Sequence, residues 1–257
     1  MVPEDIFSRS ARRSRALRSL QSPEEDRWLV RRMEEDLVER LDAVTRPLHS
    51  ILVVGLPGPG LIDALQRRGI SVTVAGLAGP RAHLLCEEDG FPVATESFDA
   101  ILSVGGLDTV NDLPGALILI RKALKPGGIF IGAMLGAGSL PSLRMTLARV
   151  ETRAVARIHP LVDVRAAGDL LVRAGFGLPV ADLDTVTARY ATLASLTRDL
   201  RANGLSNAMI ARQPLSGRTW AEVEASFPRD GDGRLVEQFG LLCLTGWSPM
   251  QAAPGAA

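Results

Sequence analysis

Lysine is nearly missing from this 257-residue chain: only Lys122 and Lys125 occur among 29 basic residues, so arginine carries almost all the positive charge. The 29 acidic residues balance them to a net charge of zero, which argues against a general nucleic-acid binder. Aromatic residues are scarce too, at seven Phe, three Trp and one Tyr, so the core must be built from Leu, Val, Ile and Ala. Cys86 and Cys243 have no paired spacing, and no His/Cys pattern of a metal site exists. They read as reduced thiols of a cytoplasmic protein. The longest apolar stretch, 128–140, is short and glycine-rich, which predicts no membrane span. Glu4 and Asp5 stand where a secretory leader would be basic and then apolar, so none is expected.

What remains is ample for a folded domain, with 46% hydrophobic residues and neither disorder-prone nor low-complexity composition. Arg9, Arg12, Arg13, Arg15 and Arg18 crowd into ten residues without an acid. They suggest a helix with its arginines on the exposed side, able to cover a site or grip an acidic partner. Ser22 and Glu25 frame a capping box for a second helix, whose apolar face is Trp28, Leu29, Met33, Leu37, Val38 and Leu41.

From Ser50 the texture changes. Apolar runs at 50–54, 71–75, 100–104 and 129–134 read as buried strands. Helical stretches at 61–68, about 81–87 and 113–124 separate them. This alternation predicts an α/β fold with a mostly parallel sheet covered on both faces. Farther on, helices are expected at 140–150, 163–173, 193–202 and 219–225, with strands at 178–184 and 235–244. The expected organisation is a helical extension over 1–49 and a main domain over 50–250. That domain carries a helical insertion at about 190–234, and a disordered tail follows at 251–257.

The first strand runs into Gly55-Leu56-Pro57-Gly58-Pro59-Gly60 and then a helix, a geometry that brings ligands to bare amides at a helix N-terminus. The spacing fits neither the dinucleotide fingerprint nor a P-loop, since no Lys-Ser/Thr follows. The order strand, glycine loop, strand, then 96–100, together with 111–117 and Lys125-Pro126-Gly127-Gly128, resembles the class I S-adenosylmethionine-dependent methyltransferases. Segments 6–9, 163–165, 173–176, 178–180 and 244–249 resemble one branch in particular. It holds the mitochondrial complex I assembly methyltransferase-like factor and the malonyl-carrier-protein O-methyltransferases of biotin synthesis.

The resemblance implies a Rossmann-like seven-stranded fold, S-adenosylmethionine as cofactor, and a protein or acyl-carrier acceptor. It also leaves open a non-methylating assembly role, binding or arginine-modifying, for a respiratory complex I subunit. The cofactor positions it marks are Val53, Gly55, Pro57, Gly58, Gly60, Gly76, Glu87, Ser103, Gly105 and Gly106. Several depart from the family pattern. Val53 stands where an acid ends the first strand, Pro57 and Pro59 replace glycines, and Gly76 lies where a ribose-binding carboxylate is usual. Glu87 matches the acid that meets the adenine. Asp108 sits at a strand's carboxyl end, where α/β ligands bind. His159, Tyr190, Arg198, Arg201 and Asn207 are candidates for a substrate or partner, the arginines as carboxylate clamps. No catalytic acid–base pair stands out.

Overall fold

The computed structural model describes residues 5–151, 153 and 155–250. Its elements are α1 (Arg9–Gln21), α2 (Trp28–Asp42), β1 (Ser50–Gly55), α3 (Pro59–Arg67), β2 (Ser71–Gly76), β3 (Leu84–Leu85), β4 (Phe98–Val104) and α4 (Leu113–Ala123). They continue with β5 (Leu124–Leu135), α5 (Pro141–Val150), α6 (Val164–Arg173), β6 (Gly177–Tyr190), α7 (Leu193–Ala202), α8 (Gly217–Ser226) and β7 (Leu235–Trp247). The strands form one seven-stranded sheet in the order β3-β2-β1-β4-β5-β7-β6. β3, β2, β1, β4 and β5 run parallel, while β7 is antiparallel to both β5 and β6.

Strand alternation divides the core. Ile51 and Val53 point to the face covered by α2, α3, α5, α7 and α8. Leu52 and Val54 point to the face covered by α4 and α6. Both faces of β1 are therefore dry, which is why its sequence is a continuous apolar run rather than an alternating one. Asp99 ties the sheet's lower end together. It accepts from the His49 and Ser50 amides and from Lys125 Nζ, and these bonds hold its carboxyl far below the usual range despite its burial.

Three local expectations are corrected. No helix forms over 81–87, because that backbone is taken by β2: His83 N–H donates to Val74 O, Cys86 N–H donates to Gly76 O, and Leu84–Leu85 pair as a strand. The capping box at Ser22 does not form, since Ser22 closes α1 instead, its hydroxyl donating to Arg18 O. Residues 24–26 make one tight turn before α2 starts at Trp28. β6 and β7 are also longer than expected, because they pair with each other along almost their whole length. The expected disordered tail lies outside the described residues. No helix among them is long and apolar enough to cross a membrane.

Candidate functional site

The carboxyl ends of β1, β2 and β4 converge on Gly55, Gly76 and the turn Gly105-Gly106, the place where open α/β sheets take ligands. The approach is tight. Gly55 has φ +97°, and a Cβ there would stand 2.5 Å from Val104 O. Gly106 has φ +88°, and a Cβ there would meet Glu88 Oε1 at 2.9 Å. Only glycine fits at Gly55, where the obstacle is backbone, and the left-handed conformation favours glycine at Gly106.

Across this groove lies α1. Its start is clamped by Asn111, whose Oδ1 accepts from the Ile6 and Phe7 amides while its Nδ2 donates to Phe7 O. Its end is held by Ser19, whose hydroxyl donates to Ala202 O at 2.7 Å. The face turned inward is Arg12, Arg15, Ala16 and Ser19. Arg12 is buried and pairs with both Glu87 and Glu88, the latter at 2.6 Å. Arg15 donates to Thr109 Oγ1 at 2.9 Å and to Ser206 O at 3.2 Å, and lies 3.8 Å from Asp108. The expectation that these arginines face solvent is thus overturned for Arg12 and Arg15, while Arg9, Arg13 and Arg18 are exposed.

Below the arginines, Ala16, Leu56 and Ala78 pack as a small cluster with Leu20 and Leu77 against it. The chain also occupies the other end of the loop. Arg27 Nη2 donates to Leu56 O at 2.6 Å, and the Gly58 amide at the mouth of α3 donates to Glu34. A helix N-terminus favours an anion, and here the anion is the protein's own. Burial raises the Glu34 pKa, with the Gly58 amide and Arg27 opposing it.

Asp108 joins this groove to a second space. Its Oδ2 contacts His159 Nε2 at 3.0 Å, and the His159 ring packs edge-on against Phe7. Burial works against the Asp108 charge, but Arg15 and His159 override it and hold its carboxyl down to about 2. Beyond His159 opens a cavity of about 540 Å³ between α5, residues 157–159, α7 and α8. Its walls are mainly Leu143, Leu147, Ile158, Leu200, Trp220 and Val223, with Arg201 and Asn207 at the lining. Arg201 is exposed, and no ion pair or hydrogen bond engages its side chain among the described residues.

The structure therefore sorts the candidates. Gly55, Gly106 and Glu88 line what is left of the groove, and Glu87 pairs with Arg12 at its edge. Gly105 and Gly76 shape the surrounding turns, Gly76 packing on Gly55 O. Val53 is wholly buried in the core and offers the groove nothing, and Ser103 is wholly buried with no partner for its hydroxyl. Gly58 and Gly60 face a different, acidic cavity beside α2, and Pro57 is buried beside them. His159, Arg201 and Asn207 line one cavity, and Asp108 meets it only through His159. Asn207 clasps the Ala156 and Arg157 carbonyls. Tyr190 and Arg198 sit elsewhere, in a separate pocket where the buried Tyr190 hydroxyl donates to Asp199. The sequence pointed to Arg12 and Arg15 only as part of an exposed arginine face able to cover a site, and it did not mark Glu88 or Thr109. No group of three or more His, Cys, Asp or Glu residues with metal-holding geometry occurs among the described residues.

With α1 lying across it, the groove has no room for S-adenosylmethionine, the cofactor of this fold family. The cavity left between Arg12, Arg15, Leu56, Leu77 and Glu88 is about 10 Å³, barely a water's worth and far below the roughly 300 Å³ at which small-molecule sites begin. No carboxylate stands at the end of β1 or β2, and Glu87, which the sequence resemblance sets beside the adenine, is paired with Arg12.

Comparison with known proteins assigns the chain. Residues 67–132 match the methyltransferase domain family. The chain is 34% identical to the mitochondrial arginine-hydroxylase NDUFAF5 of Danio rerio over 68% of its own length and 58% of that protein. It is 35% identical to the human protein of that name over 65% and 51%. It thus spans little more than half of those curated relatives. It is 30% identical to the malonyl-[acyl-carrier protein] O-methyltransferase of Methylovorus sp. (strain MP688) over 86% of its own length and 82% of that protein. In fold it is similar to the YcgJ protein of Bacillus subtilis, at TM-score 0.56 and 12% identity, covering 84% of this chain and 98% of that one. The sheet order, the helices on both faces and a relative matched along most of its length lead to one family: the chain belongs to the class I S-adenosylmethionine-dependent methyltransferase superfamily.

Proposed function

We propose that this chain is a class I methyltransferase-like enzyme of the cytoplasm, acting on a protein-borne or carrier-borne acceptor that enters the cavity between α5, α7 and α8. One observation carries this reading. Arg201, a cation without a side-chain partner among the described residues, stands at a mainly apolar cavity of about 540 Å³ lined also by His159, which Asp108 contacts. An acceptor with an acidic group on an aliphatic arm matches it, since a guanidinium binds a carboxylate with two parallel bonds while apolar walls take the arm. Relatives named for malonyl-carrier methylation support the same chemistry. The test is binding of a malonyl-loaded acyl carrier protein against the unloaded carrier. Preference for the loaded form, lost in Arg201→Gln, is the expected result. Equal binding of both carriers would remove the reading.

A second reading is favoured by Val53, Gly76 and the filled groove: a non-methylating assembly factor, binding or arginine-modifying, for a respiratory complex I subunit. Relatives named as arginine-hydroxylases support it. Its mark is tight binding of a purified complex I subunit with no cofactor added and no response to the loaded carrier.

A further inference from the structure

The groove that the fold reserves for a cofactor is filled by the chain's own N-terminal helix, and the filling resembles a ligand in its chemistry. Arg12 places a guanidinium between Glu87 and Glu88, with weak contacts to Thr109 Oγ1 at 3.4 Å and Gly106 O at 3.5 Å. Ala16 and Leu20 close the apolar part against Leu56, Leu77 and Ala78. The fit is nevertheless incomplete. Glu88 Oε1 and Asp108 Oδ1 are buried and accept no hydrogen bond among the described residues. Buried acceptors without donors are costly, so α1 leaves hydrogen-bonding capacity in the groove unused. The helix itself is anchored by polar contacts at its ends, by the buried Arg12 and Arg15 contacts between them, and by two small apolar clusters (Ala11 against Phe7, Ala208 and Met209; Ala16 and Leu20 against Leu56, Leu77 and Ala78), not by the main core. An element with few buried apolar contacts belongs to the low-stability end of a fold, the part that opens first.

We propose that α1 is a self-docked plug, latched by Arg12 on Glu87 and Glu88, and that α1 and a nucleoside ligand hold this groove by turns. The proposal is independent of the acceptor reading, because it concerns the opposite side of the Asp108–His159 contact and needs no acceptor. A ligand that selects the open form shifts the population only by its preference for that form, so its apparent affinity is reduced by the fraction of chains that are open.

Hydrogen–deuterium exchange of the full chain, with and without S-adenosylhomocysteine at millimolar concentration, tests it. Saturation is expected to speed exchange of the α1 amides by at least about tenfold while β6 and β7 stay protected. Saturable binding with α1 protection unchanged would overturn the plug. If the wild-type chain shows no binding, Arg12→Lys and Arg12→Gln decide: both weaken the latch, and Arg12→Lys keeps a cation should the neutral variant unfold. Binding by either folded variant, with α1 released, supports the proposal. No binding by a folded variant overturns it, since the groove would then be closed permanently.

Discussion

Arg12 Nη2 donates to Glu88 Oε2 at 2.6 Å with the two side chains 1% and 2% exposed. Such a pair contributes modestly as a unit, because desolvation of both ions offsets their attraction, but removing one partner strands the other. Arg12→Gln should therefore cost about 3–5 kcal/mol, read as a lower urea midpoint. Adding Glu87→Gln and Glu88→Gln should recover part of that loss, since no buried carboxylate then lacks a cation. A triple variant less stable than Arg12→Gln alone would contradict the pairing.

Asp108 sets an acid limit. Its carboxyl is held down to about 2 from an ordinary 3.8, so the fold gains stability from it above about pH 4 and loses that share as pH falls toward 2. The contribution is roughly 2 kcal/mol. Burial raises the Glu87 and Glu34 pKa values, so their protonation favours the folded state and runs the opposite way. Comparison of wild type with Asp108→Asn isolates the one group. The gap in urea stability should be widest near pH 6 and narrow toward pH 3. A gap that is constant with pH would show that Arg15 and His159 do not hold the charge.

Gly55 and Gly69 make a matched pair. Both have positive φ, but a Cβ at Gly69 meets nothing within 4 Å, whereas one at Gly55 meets two backbone carbonyls at 2.5 and 2.7 Å. Gly69→Ala should cost about 1–2 kcal/mol for the left-handed conformation alone. Gly55→Ala should cost clearly more, because Val104 and Gly105 must move. Equal thermal shifts for the two would mean that β1 and β4 do not approach as closely as the groove requires.

Arg201→Gln should leave stability within about 0.5 kcal/mol of wild type, as expected for an exposed residue with no side-chain partner among the described residues. It should weaken binding of the loaded carrier about tenfold or more, the worth of one charge-assisted hydrogen bond. Calorimetry measures both.

The parallel half of the sheet was legible because β1, β4 and β5 are buried on both faces and carry uncharged, mostly apolar runs at 51–54, 100–104 and 129–135. The position of α7 followed from its apolar stripe, Leu193 and Leu196 facing inward. The role of α1 was not legible, for a physical reason. Its buried stripe follows helical spacing through Arg12, Arg15, Ala16 and Ser19, but three of those four residues are polar, so hydrophobic periodicity points the wrong way. The burial of the two arginines depends on carboxylates 75 to 93 residues later in the chain, which no local pattern reveals. The missing acids at Val53 and Gly76 were visible from the start. The structure adds what stands in the space, an arginine from the same chain. The excess of arginine in 9–18 therefore contains both an exposed face, Arg9, Arg13 and Arg18, and a buried inward pair, Arg12 and Arg15.

The central claim is that α1 and a groove ligand exclude one another. Ala16 and Ala78 pack in one cluster across the groove, so Ala16→Cys with Ala78→Cys, in a Cys86→Ser background, serves as a reversible lock once mass spectrometry shows the crosslink formed. Calorimetric titration with S-adenosylhomocysteine should show no binding to the oxidised form and binding to the same protein after reduction. Equal affinity in both states would contradict the account, because the groove would then admit its ligand with α1 still in place.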